Sequence, residues 1–313
     1  MIRPSVVALG GGHGLSASLA ALRHVTDDLT AVVTVADDGG SSGRLRDEYG
    51  VLPPGDLRMA LAALCDDSEW GHLWRDVLQH RFTGDGPLGG HALGNLLIVS
   101  LWELLGDDPS EGLAMVGRLL GARGRVLPMS TVPLEISATV QGLDPARPEA
   151  EALVRGQASV ATTTGHVRRI ALEPGDPPAS DLAVRAVGEA EWVVLGPGSW
   201  FTSVLPHLLV PDLAHAIRTT EARRLLTLNL ELDTGETNGY TAAAHLDVLA
   251  QHAPGLTFDV VLADPSVVDD ESALRGAVDR LGARLVVAPV ARHDHPGVHD
   301  VLRLAAAYRD LFD

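Results

Sequence analysis

The chain has 313 residues, 46% of them hydrophobic and 21% charged, and a formal net charge of -17. That balance excludes a broad nucleic-acid or anionic-membrane surface, since both need clustered positive charge. A single cysteine, Cys65, excludes internal disulfides and multi-cysteine zinc sites and leads us to expect a reducing, cytoplasmic setting.

No signal-peptide pattern precedes the first strand, and the apolar stretches are too short to span a bilayer, so no membrane insertion is expected. Lysine is absent, so all 24 basic residues are arginine. An anionic ligand must then be held by backbone N–H groups, individual arginines or a divalent cation.

The first predicted strand, Val6-Val7-Ala8-Leu9, runs into Gly10-Gly11-Gly12-His13-Gly14, and a small-residue helix starts at Ser16 and ends near His24. Such a turn lets a ligand approach bare backbone, and the helix start offers free N–H groups and a positive dipole end to a phosphate. Residues Gly12 to Ala17 fit the G-x-G-x-x-A dinucleotide fingerprint. A Walker-type loop is ruled out by the missing lysine. Gly11, Gly12, His13, Gly14 and Leu15 are therefore candidate ligand contacts.

The second strand, Leu29 to Val35, ends in Ala36-Asp37-Asp38-Gly39-Gly40-Ser41-Ser42-Gly43-Arg44-Leu45-Arg46. Strand, helix and strand at this spacing predict a parallel sheet, whose ligands gather beyond the carboxyl ends of the strands. Asp37 falls 20 residues after Ala17, about where a dinucleotide fold places its ribose acid. Asp37 and Asp38 suit a ribose hydroxyl, Mg²⁺ beside a diphosphate, or proton abstraction, and are the candidate catalytic pair. Gly39, Gly40, Ser41, Ser42 and Gly43 read as an anion-binding nest, with Arg44 and Arg46 beside it.

A helix follows Pro53-Pro54-Gly55, with Asp56 as its N-cap, Arg58 near its start, and Leu57, Leu61 and Leu64 on its buried face. Residues 68–121 read mostly as helices, and Trp70, Leu73, Trp74, Val77 and Leu78 as a core stripe. The glycine-rich loop 83–95 opens another helix, where Gly94 and Asn95 are placed to meet a ligand; His91 reads as satisfying a local hydrogen bond. Arg125 to Val140 reads as short strands, 142–151 as a loop and Val160 to Leu172 as strand, together a small β-rich elaboration over about 122–180.

The parallel pattern resumes with Trp192-Val193-Val194-Leu195, which enters Gly196-Pro197-Gly198-Ser199-Trp200-Phe201-Thr202. Ser199 and Thr202 are candidate phosphate contacts. The strand Leu225 to Asn229 precedes Gly235-Glu236-Thr237. Strands over 258–263 and 284–288 and a helix over 298–312 complete the chain. His293, His295 and His299 match no strong zinc pattern. The expected fold is one α/β domain over 1–313: Rossmann-like and doubly wound, with a mostly parallel sheet and helices on both faces.

Taken together, Gly10-Gly11-Gly12-x-Gly14-Leu15-Ser16, Ala36 to Gly43, Pro53-Pro54-Gly55-Asp56-Leu57-Arg58, Gly94-Asn95-Leu96, Gly196-Pro197-Gly198-Ser199 and Gly235-Glu236-Thr237-x-Gly239-Tyr240-Thr241 resemble the blocks of the YvcK family, the gluconeogenesis factors, within the 2-phospholactate transferase superfamily. The resemblance covers nearly the whole chain. It implies a cytoplasmic protein that binds a nucleotide sugar, notably UDP-N-acetylglucosamine, and acts in cell shape and peptidoglycan precursor supply on gluconeogenic carbon. A regulatory protein partner in that supply and a homo-oligomer are expected alongside. NAD(P) is a second ligand the resemblance allows, and Mg²⁺ on Asp38 an accompanying cation. Asn229, Glu236, Thr237 and Arg292 join the ligand contacts on the same ground, with Arg292-His293-Asp294 or Val298-His299-Asp300 as the C-terminal motif.

Departures stand at His13, where threonine is common, and at Leu230 to Thr234. No nucleophile–base–acid set stands out, so a ligand-binding regulator is expected before an enzyme. The alternatives are a Mg²⁺-dependent transferase of phospho-carboxylate groups, in which Arg46 or Arg58 neutralises developing charge, and an NAD(P)-dependent oxidoreductase.

Overall fold

The computed structural model describes residues 3–106 and 108–313. Its strands are β1 (Ser5–Gly10), β2 (Asp28–Val33), β3 (Arg125–Pro128), β4 (Glu135–Gln141), β5 (Glu151–Arg155), β6 (His166–Glu173), β7 (Trp192–Leu195), β8 (Arg223–Thr227), β9 (Val260–Ala263) and β10 (Arg284–Val287). The first helices are α1 (Gly12–Leu22), α2 (Gly40–Tyr49), α3 (Pro54–Ala63), α4 (Glu69–Gln79), α5 (Leu93–Leu105) and α6 (Pro109–Leu120). After them come α7 (Gln157–Ala161), α8 (Asp181–Glu189), α9 (Pro211–Thr219), α10 (Ala242–His252), α11 (Glu271–Arg280) and α12 (Val301–Phe312).

Seven strands form one parallel sheet in the order β10-β9-β8-β7-β1-β2-β3. The apolar runs explain its interior. Val6 to Leu9, Trp192 to Leu195 and Val260 to Ala263 are buried at successive residues, which requires cover on both faces. β1 is central, with Ala8 beside Ala31 of β2 and Val194 of β7. The chain leaves β1 toward β2 and later returns to its other edge as β7, so a switch point opens between the carboxyl ends of β1 and β7.

Helices surround the sheet: α1 packs on α3 and α12, α8 on α9, and α10 on α11. The buried Tyr308 hydroxyl ties α12 inward, 2.9 Å from Ser18 Oγ on α1 and 3.1 Å from Thr227 Oγ1 on β8. No helix among the described residues is long and apolar enough to cross a membrane.

Several expectations are corrected. β3 is the edge strand of the main sheet, where Pro128 is tolerated because its missing N–H faces away from β2; the Met129 N–H still donates to the Val33 carbonyl at 2.9 Å. The elaboration is a smaller antiparallel sheet, β5-β4-β6, in which Ile136, Ala138 and Val140 alternate inward. Within it, the strand expected from Val160 starts only at His166: Val160 and Ala161 belong to helix α7, and Gly156, at φ 90°, turns the chain before it. The run Gly40 to Tyr49 is helical too, so the supposed nest is a helix start.

Trp70 and Leu73 are 56% and 57% exposed. α4 is amphipathic, but it lies on the outside, where only Gly71 and Leu78 are buried. The Trp70 indole instead donates to the Leu119 carbonyl at 2.8 Å.

Candidate functional site

The loops after β1, β2, β7 and β8 meet at the switch point. Two glycines make that meeting possible. Gly12 starts α1 at φ 58°, a left-handed conformation that favours glycine. Gly14 lies against the next loop so closely that a Cβ there would stand 2.5 Å from Gly198 Cα and overlap the Pro197 carbonyl. Asn229, at the end of β8, fixes that loop from the far side: its amide donates to the Gly198 carbonyl, and its carbonyl accepts from the Gly198 N–H, both at 2.8 Å. Gly196 and Gly198 thus hold the β7 turn on α1, and Leu15, fully buried, is a core residue under the turn.

The helix starts that sequence reasoning offered to phosphate carry the protein's own carboxylates. Asp56 lies in the first turn of α3, not at its N-cap, which is Pro53. Its carboxyl reaches across to the start of α1, where a Cβ on Gly11 would stand 2.5 Å from Oδ2. Burial, first, and the neighbouring Asp37 charge push this carboxyl from 3.8 up to about 7, while the Gly12 N–H and Arg58 draw it back. Asp37 Oδ1 accepts from the Gly39 N–H at 2.9 Å, and its Oδ2 lies 2.7 Å from where a Gly55 Cβ would sit.

Glu236 does the corresponding work at the wide helical turn Trp200–Val204. Its Oε1 accepts from Ser199 Oγ at 2.6 Å and from the Phe201 N–H at 3.1 Å. Thr202 Oγ1 pairs with Ser199 Oγ at 2.5 Å; Thr202 is fully buried, whereas Ser199 is exposed at the cleft with its hydroxyl already engaged by Thr202 and Glu236. Burial raises the Glu236 carboxyl, and its Oε2 has no partner.

Asp38 is exposed and points away from Asp56: it accepts from the Ala158 N–H of α7 at 2.9 Å. Opposite, Gly235 packs on the Ala161 carbonyl, 2.6 Å from its would-be Cβ, so α7 is wedged between the β2 and β8 loops. Asp37 is near enough to Asp56 for its charge to raise the Asp56 carboxyl, so these two carboxylates are a candidate cation pair alongside Asp38. Mg²⁺ is commonly held by one or two carboxylates, with phosphate and water completing the shell. Among the described residues, no group of three His, Cys, Asp or Glu side chains is placed to hold a metal.

Other predicted contacts serve packing. Ser41 Oγ joins His91 Nδ1 and Asn95 Nδ2, each at 3.0 Å, and locks α2 to the start of α5. Ser42 is buried beside Gly55, and Gly94 abuts Leu78 and the Arg58 stem. Arg46 donates to the Leu134 carbonyl at 2.7 Å, and Thr237 Oγ1 pairs with Thr234 at 2.9 Å. Arg292 is paired with Asp294 on an outer loop, and His293 and His295 are exposed there. His13, in the first turn of α1, and Gly40, at the start of α2, are exposed, and Gly39 before it is half-buried.

A cleft of about 290 Å³ opens between these loops, lined by Gly14, Pro197, Ser199, Asn229, Glu236 and His299 among others. His299 belongs to the second of the two C-terminal motifs that the sequence leaves open, and it lines the cleft, whereas Arg292 and His293 do not. Burial lowers it to about 4, so it is neutral, and its Nε2 is unpartnered. Its neighbour Asp300 caps α12 through the Leu302 and Arg303 N–H groups.

Comparison with known proteins gives one family-model match, 2-phospho-L-lactate transferase CofD, over residues 6–295. The "Putative gluconeogenesis factor" of Mycobacterium tuberculosis is 56% identical over 96% of this chain and 88% of its own. The "Gluconeogenesis factor" of Bacillus subtilis is 36% identical over 86% and 81%. A crystal structure of a UPF0052-family protein from Bacillus halodurans superposes with a TM-score of 0.86 at 33% identity, covering 98% of this chain and 99% of that one.

Proposed function

Because the chain belongs to the CofD family, and within it to the gluconeogenesis factors, we propose that it binds a nucleotide sugar in the crevice at the carboxyl ends of β1, β7 and β8. The ligand we assign is UDP-N-acetylglucosamine. In this reading the protein is a cytoplasmic regulator that couples growth on gluconeogenic carbon to cell shape and peptidoglycan precursor supply, through a protein partner in that supply and as a homo-oligomer.

One observation carries the binding site: Gly14 packs on Gly198 while Asn229 clamps the same turn. Three strand ends therefore frame one cleft, and its buried, unpartnered polar atoms, Glu236 Oε2 and neutral His299 Nε2, suit the hydroxyl, amide and imide groups of such a ligand. Asp37 and Asp56 lie outside the cleft lining, by Gly11 and Gly55; a diphosphate that extends from Gly14 to Gly11 would add charge there, which Mg²⁺ would neutralise, and NAD(P) would meet the same two carboxylates. Asp56 ionised repels an anion, and Asp56 neutral admits one.

Calorimetry tests the reading. UDP-N-acetylglucosamine should release or absorb heat with wild-type protein in Mg²⁺ buffer, and Gly14→Val, which forces the two loops apart, should remove that heat. No signal from any uridine nucleotide, with or without Mg²⁺, refutes it. A second reading rests on the description of the matched family, transfer of a phospho-carboxylate group. Incubation with Mg²⁺, a guanylyl-activated donor and a hydroxyl acceptor should then break the donor's P–O–P bond, release GMP and yield a phosphodiester product.

A further inference from the structure

On the other side of the first turn of α1 lies a larger pocket, about 580 Å³, between α1, α3 and α4. It shares no lining residue with the nucleotide-sugar cleft. Its floor is apolar: Ala17 and Ala20 of α1, Met59, Ala62 and Ala63 of α3. Its walls carry Arg23, Arg58, Arg75 and Arg81, with His13, Ser16 and Gln79, and no carboxylate lines it. Four of the chain's 24 arginines meet here in a protein of net charge -17.

The charges are unevenly answered. Arg23 is paired with Asp67 at 2.7 Å, and Arg75 with Asp76 at 2.8 Å. Arg58 and Arg81 have no carboxylate salt-bridge partner among the described residues. Arg58 donates to the neutral Gln79 side chain, and Arg81 to the Gly90 carbonyl at 3.0 Å. Arg58 is only 3% exposed, and its Nε is buried without an acceptor. Arg23 Nε is orphaned in the same way. Burial, first, and the nearby Arg81 pull the Arg58 guanidinium down to about 10, against the opposing charges of Asp56 and Asp37, neither of which is in salt-bridge contact with it.

A buried guanidinium beside a second one, with spare donors, is costly unless an anion completes it. Guanidinium forks match phosphate oxygens in shape as well as charge. The volume suits a small metabolite, and the alanine and methionine floor suits its carbon skeleton.

We propose that this pocket is a second binding site, for a small organic phosphate, with Arg58 and Arg81 as its principal anion contacts and Arg23 and Arg75 at the rim. The site stands apart from the nucleotide-sugar reading and does not depend on it. Occupancy would be felt through His13 and Arg58, which adjoin the α1 turn and Asp56.

The test is calorimetry of the full chain with inorganic pyrophosphate and glucose 6-phosphate, citrate serving as the carboxylate comparison. The organic phosphate should bind, and Arg81→Gln, an exposed position that leaves the core untouched, should weaken it at least tenfold. Arg58→Lys should weaken it further, and Arg280→Gln, a remote exposed arginine, should leave it unchanged. Heat with UDP-N-acetylglucosamine, where present, should survive Arg81→Gln. The proposal is overturned by silence toward both phosphates at millimolar concentration, by equal affinity in Arg81→Gln, by a preference for citrate, or by joint loss of phosphate and nucleotide-sugar binding in that variant.

Discussion

Asp56→Asn tests the electrostatics of the crevice. In the folded chain, burial and Asp37 hold the Asp56 carboxyl at about 7 against an ordinary 3.8. The folded protein therefore keeps a proton that the unfolded chain gives up above pH 3.8. Stability falls as pH rises through that window and levels off above pH 7. At about 1.4 kcal/mol per pH unit, the step from pH 5 to pH 8 costs wild type at most about 3 kcal/mol from this group. Asparagine is nearly the same shape and carries no charge, so the variant has no such slope. Urea unfolding at pH 5 and pH 8 should show the variant gaining on wild type by roughly 2–3 kcal/mol at the higher pH. Asp37→Asn, which removes the repelling neighbour, should give part of the same gain. Parallel pH profiles for wild type and Asp56→Asn would refute the argument, since they would mean the carboxyl titrates like an exposed one.

Glu236→Ala strips the acceptor from the buried Phe201 N–H and from the cleft-facing Ser199 hydroxyl; thermal and urea unfolding should report a loss of about 1–3 kcal/mol, with Glu236→Gln costing less than half as much. Tyr308→Phe removes the hydroxyl shared by Ser18 and Thr227, and the same assays should show about 1–2 kcal/mol lost. Trp70→Ala, at an exposed indole with one hydrogen bond to Leu119, should cost about 1 kcal/mol or less; a loss near the 3–5 kcal/mol of a core aromatic would restore Trp70 to the core.

The sheet was legible because its strands are buried on both faces. Unbroken runs such as Val6 to Leu9 and Trp192 to Leu195, each followed by glycine, mark parallel strands and their ligand-side ends. Leu57, Leu61 and Leu64 were legible as a helix face, and all three are buried. What periodicity cannot report is which neighbour arrives. The α4 stripe is amphipathic by spacing, but among the described residues α6 meets only one edge of Trp70, and Trp70 and Leu73 stay more than half exposed. The β-branched run at Val160 to Thr164 invites a strand reading; Asp38, about 120 residues earlier by sequence, instead receives the Ala158 N–H at the start of a helix.

The site was half legible for the same reason. Glycine-rich turns announce where backbone is bare, and the loops holding Gly14 and Gly198 do meet. The carboxylates that settle into those helix starts come from other loops: Asp56 from α3, and Glu236 from 35 residues beyond Phe201. Arg58 reads from sequence as a solvated or ligand-facing charge near a helix start. Only packing against α4 and α5 shows that it is buried beside Arg81.

The place of β1 in the sheet also has a biosynthetic consequence. Its two neighbours are unequal in time: β2 follows within about 20 residues, whereas the Ser5 N–H finds Glu191 only 186 positions later. On the ribosome, the nascent β1–β2–β3 half must therefore wait, with one hydrophobic flank unzipped, until β7 emerges. Such an open edge recruits stray strands. Chaperone capture of stalled chains should accordingly be heaviest for those ending before Trp192, and should fade once Leu195 has cleared the exit tunnel.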